Sequence, residues 1–346
     1  MSKGTDFIKT NIKIRKGIFI FFKIIFSFNS AAYYVLWLKF LQVLFSPIDF
    51  FFALIEKTKK KSEQENEIPI LFVVGIQRTG STLVSQFIEK TFPFFPIGNF
   101  NTIFKRSNYY VHKWIRRLYK KPNPTYKNFY GIAKGIFSIG DSYELWDRWL
   151  DKNHYLIPSE IRNEKSNHLK NYFSTLYKAY NKPILTKNNR NSLLIPLFKA
   201  TFKNSFYVIV KRNPVSVIKS TLQASKDFFG NGDLLWGLYP TQEFDSNNYE
   251  NLTEAATVQF LMLNKILNDQ LNELEDDSYL VIDYNDFCKN PSQFQKNLIE
   301  KLNAKKNFHT DNVIFKEESF KTSERLNNSQ IEIQIKEYLK KWENKI

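Results

Sequence analysis

A glycine-rich loop contains the residues of this 346-residue chain whose types and spacing best suit chemistry. An apolar run ends at Gly75, and the pattern Gly75-x4-Gly80-Ser81-Thr82 has the spacing of a phosphate-binding loop. Such a loop points backbone N–H groups inward and leads into a helix N-terminus, so it can hold a phosphate or sulfate without a metal. Arg78 lies inside the loop, and Ser81 stands where nucleoside triphosphatases have a lysine. We therefore predict a nucleotide-phosphate loop that does not serve ATP hydrolysis.

A second group of phosphate-binding residue types follows another apolar run, residues 206–211. Arg212 ends the run, Pro214 suits the first turn of a helix, and Ser220 lies two turns into that helix. A guanidinium group makes bidentate contacts with a phosphate, and a hydroxyl adds a further donor. We predict that Arg212 and Ser220 reach the same end of the sheet as the glycine-rich loop.

These two motifs resemble those of the sulfotransferase family, whose members transfer a sulfuryl group from 3′-phosphoadenosine 5′-phosphosulfate (PAPS). The family's first motif reads roughly Gly-x-Pro-Arg-Ser-Gly-Thr-Thr, and residues 75–82 of this chain read Gly-Ile-Gln-Arg-Thr-Gly-Ser-Thr. The family's strand–Arg–x–Pro–helix–Ser unit binds the nucleotide 3′-phosphate, and its usual aspartate is Asn213 here. Looser similarities extend the resemblance over residues 69–325. The resemblance implies PAPS as the donor, bound by the following residues: Gln77, Arg78, Thr79, Gly80, Ser81, Thr82, Arg212 and Ser220.

Sulfuryl transfer needs a base for the acceptor proton and a cation at the leaving oxygen, and a metal is unnecessary if the loop supplies the charge. Arg78 matches the position of the family's catalytic Lys or Arg, and Lys187, at the end of a neighbouring predicted strand, is a second candidate cation. We predict Glu144 as the base, because the aromatic residues around it could raise its pKa. Asp141 and His154 are the alternatives for this role.

Other functions stay open at this point. Residues 279–283 also fit a magnesium-binding strand ending in Asp283, which would suit a P-loop ATP-dependent kinase, although the missing loop lysine counts against it. A non-catalytic, nucleotide-binding, membrane-associated protein is a further alternative, because Gln77 departs from the family motif.

The composition of the chain limits the kinds of ligand and partner that we expect. The net charge is +16, but the lysines are scattered and no zinc-finger or RNP-type motif is present, so we expect no nucleic-acid partner. A basic surface suits a doubly phosphorylated nucleotide, an acidic acceptor or an anionic lipid surface. Cys288 is the single cysteine and the four histidines lack metal-binding spacing, so we predict no disulfide and no metal site.

Residues 1–67 form a hydrophobic, basic-flanked extension ahead of the motifs. Polar residues interrupt its apolar runs, 18–28 and 31–55, so neither run fits a spanning helix. No small-residue cleavage site follows the first run, so a secretory signal peptide is not expected either. We expect membrane-associating helices that lie in the bilayer interface, with the protein peripheral on the cytoplasmic side of a membrane. Helices packed on the catalytic domain and a single-pass anchor are the two alternatives.

The elements that must position these residues alternate from residue 68 onward, which predicts an α/β fold with a P-loop-like parallel sheet flanked by helices. The predicted strands are 70–74, 184–187, 206–211 and 279–283, and the predicted helices are 81–91, 192–202, 215–226 and 251–274. We assign residues 68–346 to a sulfotransferase domain. Segments 97–183 and 230–250 are expected to form the acceptor pocket, for a hydroxyl of a carbohydrate, glycolipid or other membrane-proximal molecule.

Overall fold

A five-stranded parallel sheet forms the centre of the fold. The structure is a computed structural model, and it describes residues 25–26, 30–57, 67–126, 128–129, 131–150, 163–230, 234–241, 243–315, 318–322 and 329–346. The strands of this sheet are β1 (Ile70–Val74), β2 (Phe95–Pro96), β5 (Ile184–Lys187), β6 (Ser205–Lys211) and β7 (Tyr279–Asp283). Their order across the sheet is β2-β5-β1-β6-β7. A separate antiparallel pair consists of β3 (Asn128–Phe129) and β4 (Ile132–Ala133).

Helices cover both faces of the sheet, which confirms the predicted α/β class. They are α1 (Ser30–Lys57), α2 (Ser81–Thr91), α3 (Asn99–Ile103), α4 (Tyr109–Ile115), α5 (Tyr143–Leu150), α6 (Asn163–Tyr180), α7 (Ile195–Thr201), α8 (Pro214–Phe229), α9 (Leu252–Leu271), α10 (Tyr284–Lys289), α11 (Pro291–Asn303) and α12 (Ser329–Trp342). Two 3₁₀ turns, Asn189–Leu193 and Ser246–Asn248, complete the elements of the described residues.

One predicted helix, 192–202, begins later than expected. A 3₁₀ turn occupies Asn189–Leu193, and α7 starts only at Ile195. Pro196 lies at the start of α7, where its missing N–H is harmless, but in a helix that began at Ser192 its ring would clash with the carbonyl four residues before it. The chain therefore breaks the helix at Leu194, whose φ and ψ of −133° and 21° are not helical.

The central strands are buried on both faces, as their continuous apolar runs require. Along β1, Ile70, Phe72 and Val74 belong to one hydrophobic cluster, and Leu71 and Val73 belong to the cluster on the opposite face. This two-sided burial gives the loop that follows Val74 a rigid base.

Within the described residues of the N-terminal extension, the apolar run 31–55 lies in one continuous helix. Helix α1 has 28 residues and passes through Pro47 without a break. By length and composition, Ala32–Glu56 is apolar enough to cross a membrane, with a mean hydropathy of 1.7, a test that core helices and signal sequences also pass. Residues 31–55, which we expected to be a poor span because polar residues interrupt them, therefore meet this test by length and composition, and whether they cross or lie on a membrane stays a prediction. The run 18–28 lies mostly outside the described residues.

The polar residues of α1 point at the rest of the protein. Asp49 is 1% exposed, and its Oδ1 accepts hydrogen bonds from the backbone N–H (2.8 Å) and the hydroxyl (2.7 Å) of Ser107. The Glu56 carboxylate accepts the N–H groups of Asn108 and Tyr110, each bond being 2.9–3.0 Å long. One face of α1 is thus held against the domain by a buried and a partly buried carboxylate.

Helix α2 carries a buried carboxyl group, Glu89. Its Oε1 accepts the backbone N–H of Ile139 at 2.7 Å, and its Oε2 has no hydrogen-bond partner among the described residues. Burial raises the pKa of Glu89 to about 8, although the Ile139 N–H and the charge of Lys121 lower it in part. The carboxyl group is therefore protonated in the folded protein at neutral pH.

We expect the free energy of unfolding to fall as the pH rises from about 5 to about 8. In that window the folded protein keeps the Glu89 proton and the unfolded chain releases it, so the folded state binds more protons. The substitution Glu89→Gln retains an acceptor for Ile139 but cannot titrate, so it should flatten this part of the pH dependence. Urea unfolding of both proteins at about pH 5, 7 and 9 measures the difference, and identical pH slopes would contradict the assignment.

Candidate active site

The glycine-rich loop joins β1 to α2 and is fixed by hydroxyl groups. The Ser192 hydroxyl accepts the N–H of Gly75 (2.8 Å) and donates to the Gly75 carbonyl (2.9 Å). The Thr79 hydroxyl donates to the carbonyl of Ile76 at 2.9 Å. At Gly80, with φ of 97°, an added Cβ would lie 2.2 Å from ring atoms of Tyr284, so only glycine fits there.

The end of the loop is open to an anion. Gly80 is the N-cap of α2 and provides no side-chain cap, which leaves the N–H groups of Ser81 and Thr82 in the first turn for a ligand. Arg78 has φ of 68°, a left-handed conformation that costs a non-glycine residue energy and is concentrated at functional sites. The Ser81 hydroxyl is held by Asn189 Oδ1 at 3.2 Å.

The two predicted phosphate-binding motifs contact each other. Arg78 Nε donates to Ser220 Oγ at 2.8 Å, and Arg212 Nη1 donates to the Arg78 carbonyl at 3.2 Å. The Arg212 guanidinium lies 4.7 Å from the centre of the Tyr284 ring, and that of Arg78 lies 5.7 Å from the Trp236 ring. Two half-buried guanidinium groups and a helix N-terminus therefore converge at one end of the sheet, an arrangement that suits a multiply charged anion.

Asn213 has a structural role that explains its presence between Arg212 and Pro214. Its side chain accepts the N–H of Ser216 at 3.3 Å and so caps α8, and Pro214 is the first helical residue. Aspartate and asparagine cap helices almost equally well, so the departure from the family motif preserves the helix start.

Lys187 and Asp141 form a buried ion pair at the end of β5. The distance from Lys187 Nζ to Asp141 Oδ1 is 2.8 Å, and the two side chains are 2% and 7% exposed. The N–H of Asn189 also donates to Asp141 Oδ1, at 3.3 Å. A Cβ on Gly131 would lie 2.2 Å from Asp141 Oδ2, so this glycine lets the chain approach the carboxylate closely. The second candidate cation and one candidate base are therefore bound to each other.

Glu144 is held by the N-terminal helix. It lies in the first turn of α5, forms an ion pair with Lys39, and accepts a hydrogen bond from Gln42 Nε2 at 2.8 Å. The Glu144 side chain is 29% exposed, so it can still meet a ligand. The remaining candidate base, His154, lies outside the described residues.

A cavity of about 350 Å³ connects these groups. Gln77 of the loop, Asp141 and Glu144 all line it. Gln77 is fixed by Gln259 Oε1 at 3.2 Å, and Gly237 makes room for it, since a Cβ there would lie 2.7 Å from Gln77 Nε2. The other lining residues are Val35, Leu38, Lys39, Gln42, Asn99, Thr102, Ile132, Gly140, Ser142, Tyr143, Asn189, Trp236, Gly237 and Leu238.

Segments 97–183 and 230–250 both supply walls of this cavity, but sequence reasoning missed the wall supplied by α1. A signal for it exists in the sequence. Lys39, Gln42, Asp49 and Glu56 fall within an arc of about 100° on a helix with 3.6 residues per turn. A polar stripe on an otherwise apolar helix indicates the face that meets protein, and here that face meets the cavity and the loop after α3.

Asp283, the candidate magnesium ligand, caps a helix. Its Oδ1 accepts the N–H groups of Asn285 (2.7 Å) and Asp286 (3.2 Å) at the start of α10. Within the ranges that the structure describes, no three His, Cys, Asp or Glu side chains are grouped closely enough to hold a metal ion.

Comparison with protein families identifies the class of this fold and site. A family model described as the sulfotransferase family matches residues 69–307, more than half of the chain. The chain belongs to the sulfotransferase family, a family of transferases. No curated protein sequence matches the chain.

The solved structure of one sulfotransferase supports the same fold. The sulfotransferase STF9 from Mycobacterium avium superimposes with a TM-score of 0.50 at 11% identity, over 84% of this chain and 72% of that one. The sulfotransferase STF1 from Mycobacterium tuberculosis H37Rv gives a TM-score of 0.47 at 12% identity, over 73% of this chain and 70% of that one. At such low identity, the likeness to STF9 concerns the fold.

Removing one partner of the buried ion pair should destabilise the protein. In Asp141→Asn the ammonium group of Lys187 loses its carboxylate, and an uncompensated buried charge costs roughly 3–5 kcal/mol. Urea unfolding measures the loss. The double variant Asp141→Asn/Lys187→Met is the matched control, because it leaves no buried charge and should recover most of the stability. If Asp141→Asn unfolds like the wild type, the pair does not stabilise the fold.

Proposed function

We propose that this protein is a PAPS-dependent sulfotransferase that modifies a hydroxyl group of a carbohydrate, glycolipid or other membrane-proximal acceptor. The observation that carries the proposal is the convergence of Arg78, Arg212 and Ser220 at the open N-terminus of α2. PAPS carries a phosphosulfate and a 3′-phosphate, and the donors of this cluster suit both. Bound there, it would supply the activated sulfuryl group.

The residues of the loop would hold the phosphosulfate end of the donor. The N–H groups of Gly80, Ser81 and Thr82 and the side chain of Thr79 belong to the loop and the first turn of α2, where an anion is favoured. Arg78 would stabilise the negative charge that develops on the leaving oxygen. Arg212 and Ser220 would bind the 3′-phosphate, and Gln77 faces the cavity next to the loop.

Glu144 is the better supported base of the two acids described. The Asp141 carboxylate is buried and engaged by Lys187 and Asn189, so it suits a positioning role. Glu144 lines the cavity and stays partly exposed, which suits removal of an acceptor proton. Lys187 would have one of two roles. It would hold Asp141 in position through their ion pair, or it would act as a second cation near the donor.

Two parts of the chain would have different functions. We assign the nucleotide site to residues 68–346, and the membrane contact and one cavity wall to residues 1–67, with the protein peripheral on the cytoplasmic side of a membrane or held there by a single-pass anchor. The kinase alternative gains no support, because Asp283 serves as a helix cap.

We expect Arg212→Ala to weaken nucleotide binding through the 3′-phosphate alone. Loss of a charge-assisted contact costs roughly 1.5–3 kcal/mol, which is on the order of a tenfold to hundredfold rise in Kd. Calorimetric titration with adenosine 3′,5′-bisphosphate and with AMP, which lacks the 3′-phosphate, separates the two phosphates. Only the affinity for the bisphosphate should fall.

Lys211→Ala is the matched control for this experiment. Lys211 is the adjacent cation of the same strand end, but its Nζ donates to Asn268 Oδ1 at 2.9 Å, away from the cluster. It should bind both nucleotides like the wild type. If Arg212→Ala loses both nucleotides equally, or neither, the 3′-phosphate assignment is wrong.

Glu144→Gln should slow the chemical step by roughly 10²–10⁴-fold with little change in nucleotide affinity. Glutamine keeps the size of the side chain but cannot accept the proton, so the defect should appear in kcat. Transfer of labelled sulfate from PAPS to a membrane lipid extract provides the assay, and titration with adenosine 3′,5′-bisphosphate controls for folding. Near-normal turnover in this variant would transfer the role to Asp141 or His154.

A further inference from the structure

We propose that α1 and residues 105–121 together form a docking surface for an anionic lipid bilayer, with α1 lying in the plane of the interface. Only one part of this proposal rests on the proposed function, namely that the cavity walled by α1 receives the acceptor. The docking surface itself depends on exposure, charge and packing, and it adds to the N-terminal extension a segment that lies within the catalytic domain.

The outward face of α1 is apolar and aromatic. Trp37 is 51% exposed, Phe40 is 53% exposed and Phe51 is 59% exposed. Side chains of this kind on the surface of a soluble domain mark an interaction site. Six exposed apolar residues recur at helical spacing along this face: Tyr33, Trp37, Phe40, Leu44, Ile48 and Phe51.

The apolar surface continues onto α4 and the turn after it. Trp114 is 75% exposed and Leu118 is 70% exposed. The Phe52 ring of α1 contacts Trp114 edge-on, with ring centres 6.0 Å apart, and stacks near Tyr110 at 6.2 Å. The two elements therefore present one continuous aromatic surface, and tryptophan and tyrosine favour the headgroup level of a bilayer.

The charge around this surface selects an anionic partner. Residues 105–121 contain seven basic residues and no acidic residue: Lys105, Arg106, Lys113, Arg116, Arg117, Lys120 and Lys121. The acidic residues of α1, Asp49 and Glu56, instead bind backbone N–H groups on the inward side. Exposed aromatic residues bordered by cations, with the nearby acids turned inward, match a surface of anionic headgroups.

The packing of α1 places it along the bilayer and not across it. Its inward face contacts the domain from Leu38, in a cluster with Ile103, to Glu56, which binds Asn108. That span is about 27 Å at 1.5 Å per residue, nearly the roughly 30 Å of a hydrocarbon core. If α1 crossed the bilayer, the part of the domain packed against it, which includes the polar loop after α3, would have to lie in the hydrocarbon.

The same helix separates the bilayer from the cavity. Lys39 and Gln42 line the cavity and bind Glu144, and Trp37 and Phe40 lie on the exposed face. An α-helix is about 10 Å thick, so the cavity lies within reach of the headgroup layer. The acceptor class that fits this geometry is a hydroxyl group in the headgroup of a membrane lipid.

Vesicle flotation of the full-length protein tests the docking surface. The vesicles are pure phosphatidylcholine or phosphatidylcholine with about 30% phosphatidylserine, which is the anionic probe. The variants Arg116→Gln/Arg117→Gln and Trp114→Ser/Leu118→Ser alter the charge and the apolar part of residues 105–121. Lys289→Gln/Lys296→Gln is the matched control, because it removes two exposed cations from α10 and α11.

We expect the wild type and the control to float with anionic vesicles and to bind neutral vesicles far more weakly. Each cation near an anionic surface contributes about fivefold in partitioning, so the double arginine variant should lose roughly 25-fold on anionic vesicles at low salt. The Trp114/Leu118 variant should lose about tenfold on both kinds of vesicle. Unchanged flotation of both variants, or equal loss in the control, would overturn the inference.

Two further measurements complete the test. Alkaline carbonate should release the bound protein, since an interfacial helix is extractable, and retention would show that α1 crosses the bilayer. Affinity for adenosine 3′,5′-bisphosphate should stay unchanged in every docking variant. A wild type that floats as expected but binds no bisphosphate would count against the proposed function and not against the docking surface. A wild type that binds the bisphosphate but does not float would count against the docking surface and not against the proposed function.

Discussion

The parallel pairing of β1 with β6 is the constraint on which the site depends. The register aligns Val74 with Ile209, so both strands end at the same edge of the sheet. The glycine-rich loop leaves one strand and Arg212 ends the other, which brings Arg78 to within 2.8 Å of Ser220 across 142 residues of chain. Because both faces of these strands are buried, the strand ends are held in place, and the positive groups that we propose to bind an anion are positioned before it arrives.

Strand β5, on the other side of β1, connects the sheet to the wall of the cavity. β5 ends beside β1 with Lys187, and the buried pair with Asp141 ties segment 131–144 to the sheet. Gly131 permits the close approach of that segment. Each buried charge is neutralised by the other, so the pair fixes one wall of the cavity, and Glu144 is left partly exposed on the same wall.

Helix α1 has two faces, one toward the cavity and one toward the membrane surface that we propose. Its polar stripe contributes Lys39 and Gln42 to the cavity and holds Glu144, and its apolar face is exposed. The polar contacts attach the helix to the domain. The exposed apolar face is what would bind it to a bilayer surface. The same residues therefore define both the cavity wall and the orientation that we infer at a bilayer.

The sequence alone determined the parts whose signals are local. The four predicted strands lie within one residue of their observed bounds, the glycine spacing predicted the turn between β1 and α2, and Pro214 marked a helix start through its missing N–H. Only the tertiary structure decided that Lys39 binds Glu144, that Lys187 binds Asp141, and that α1 walls the cavity. Those contacts join residues 46–105 positions apart, and they depend on how amphipathic faces pack, which no short stretch of sequence encodes.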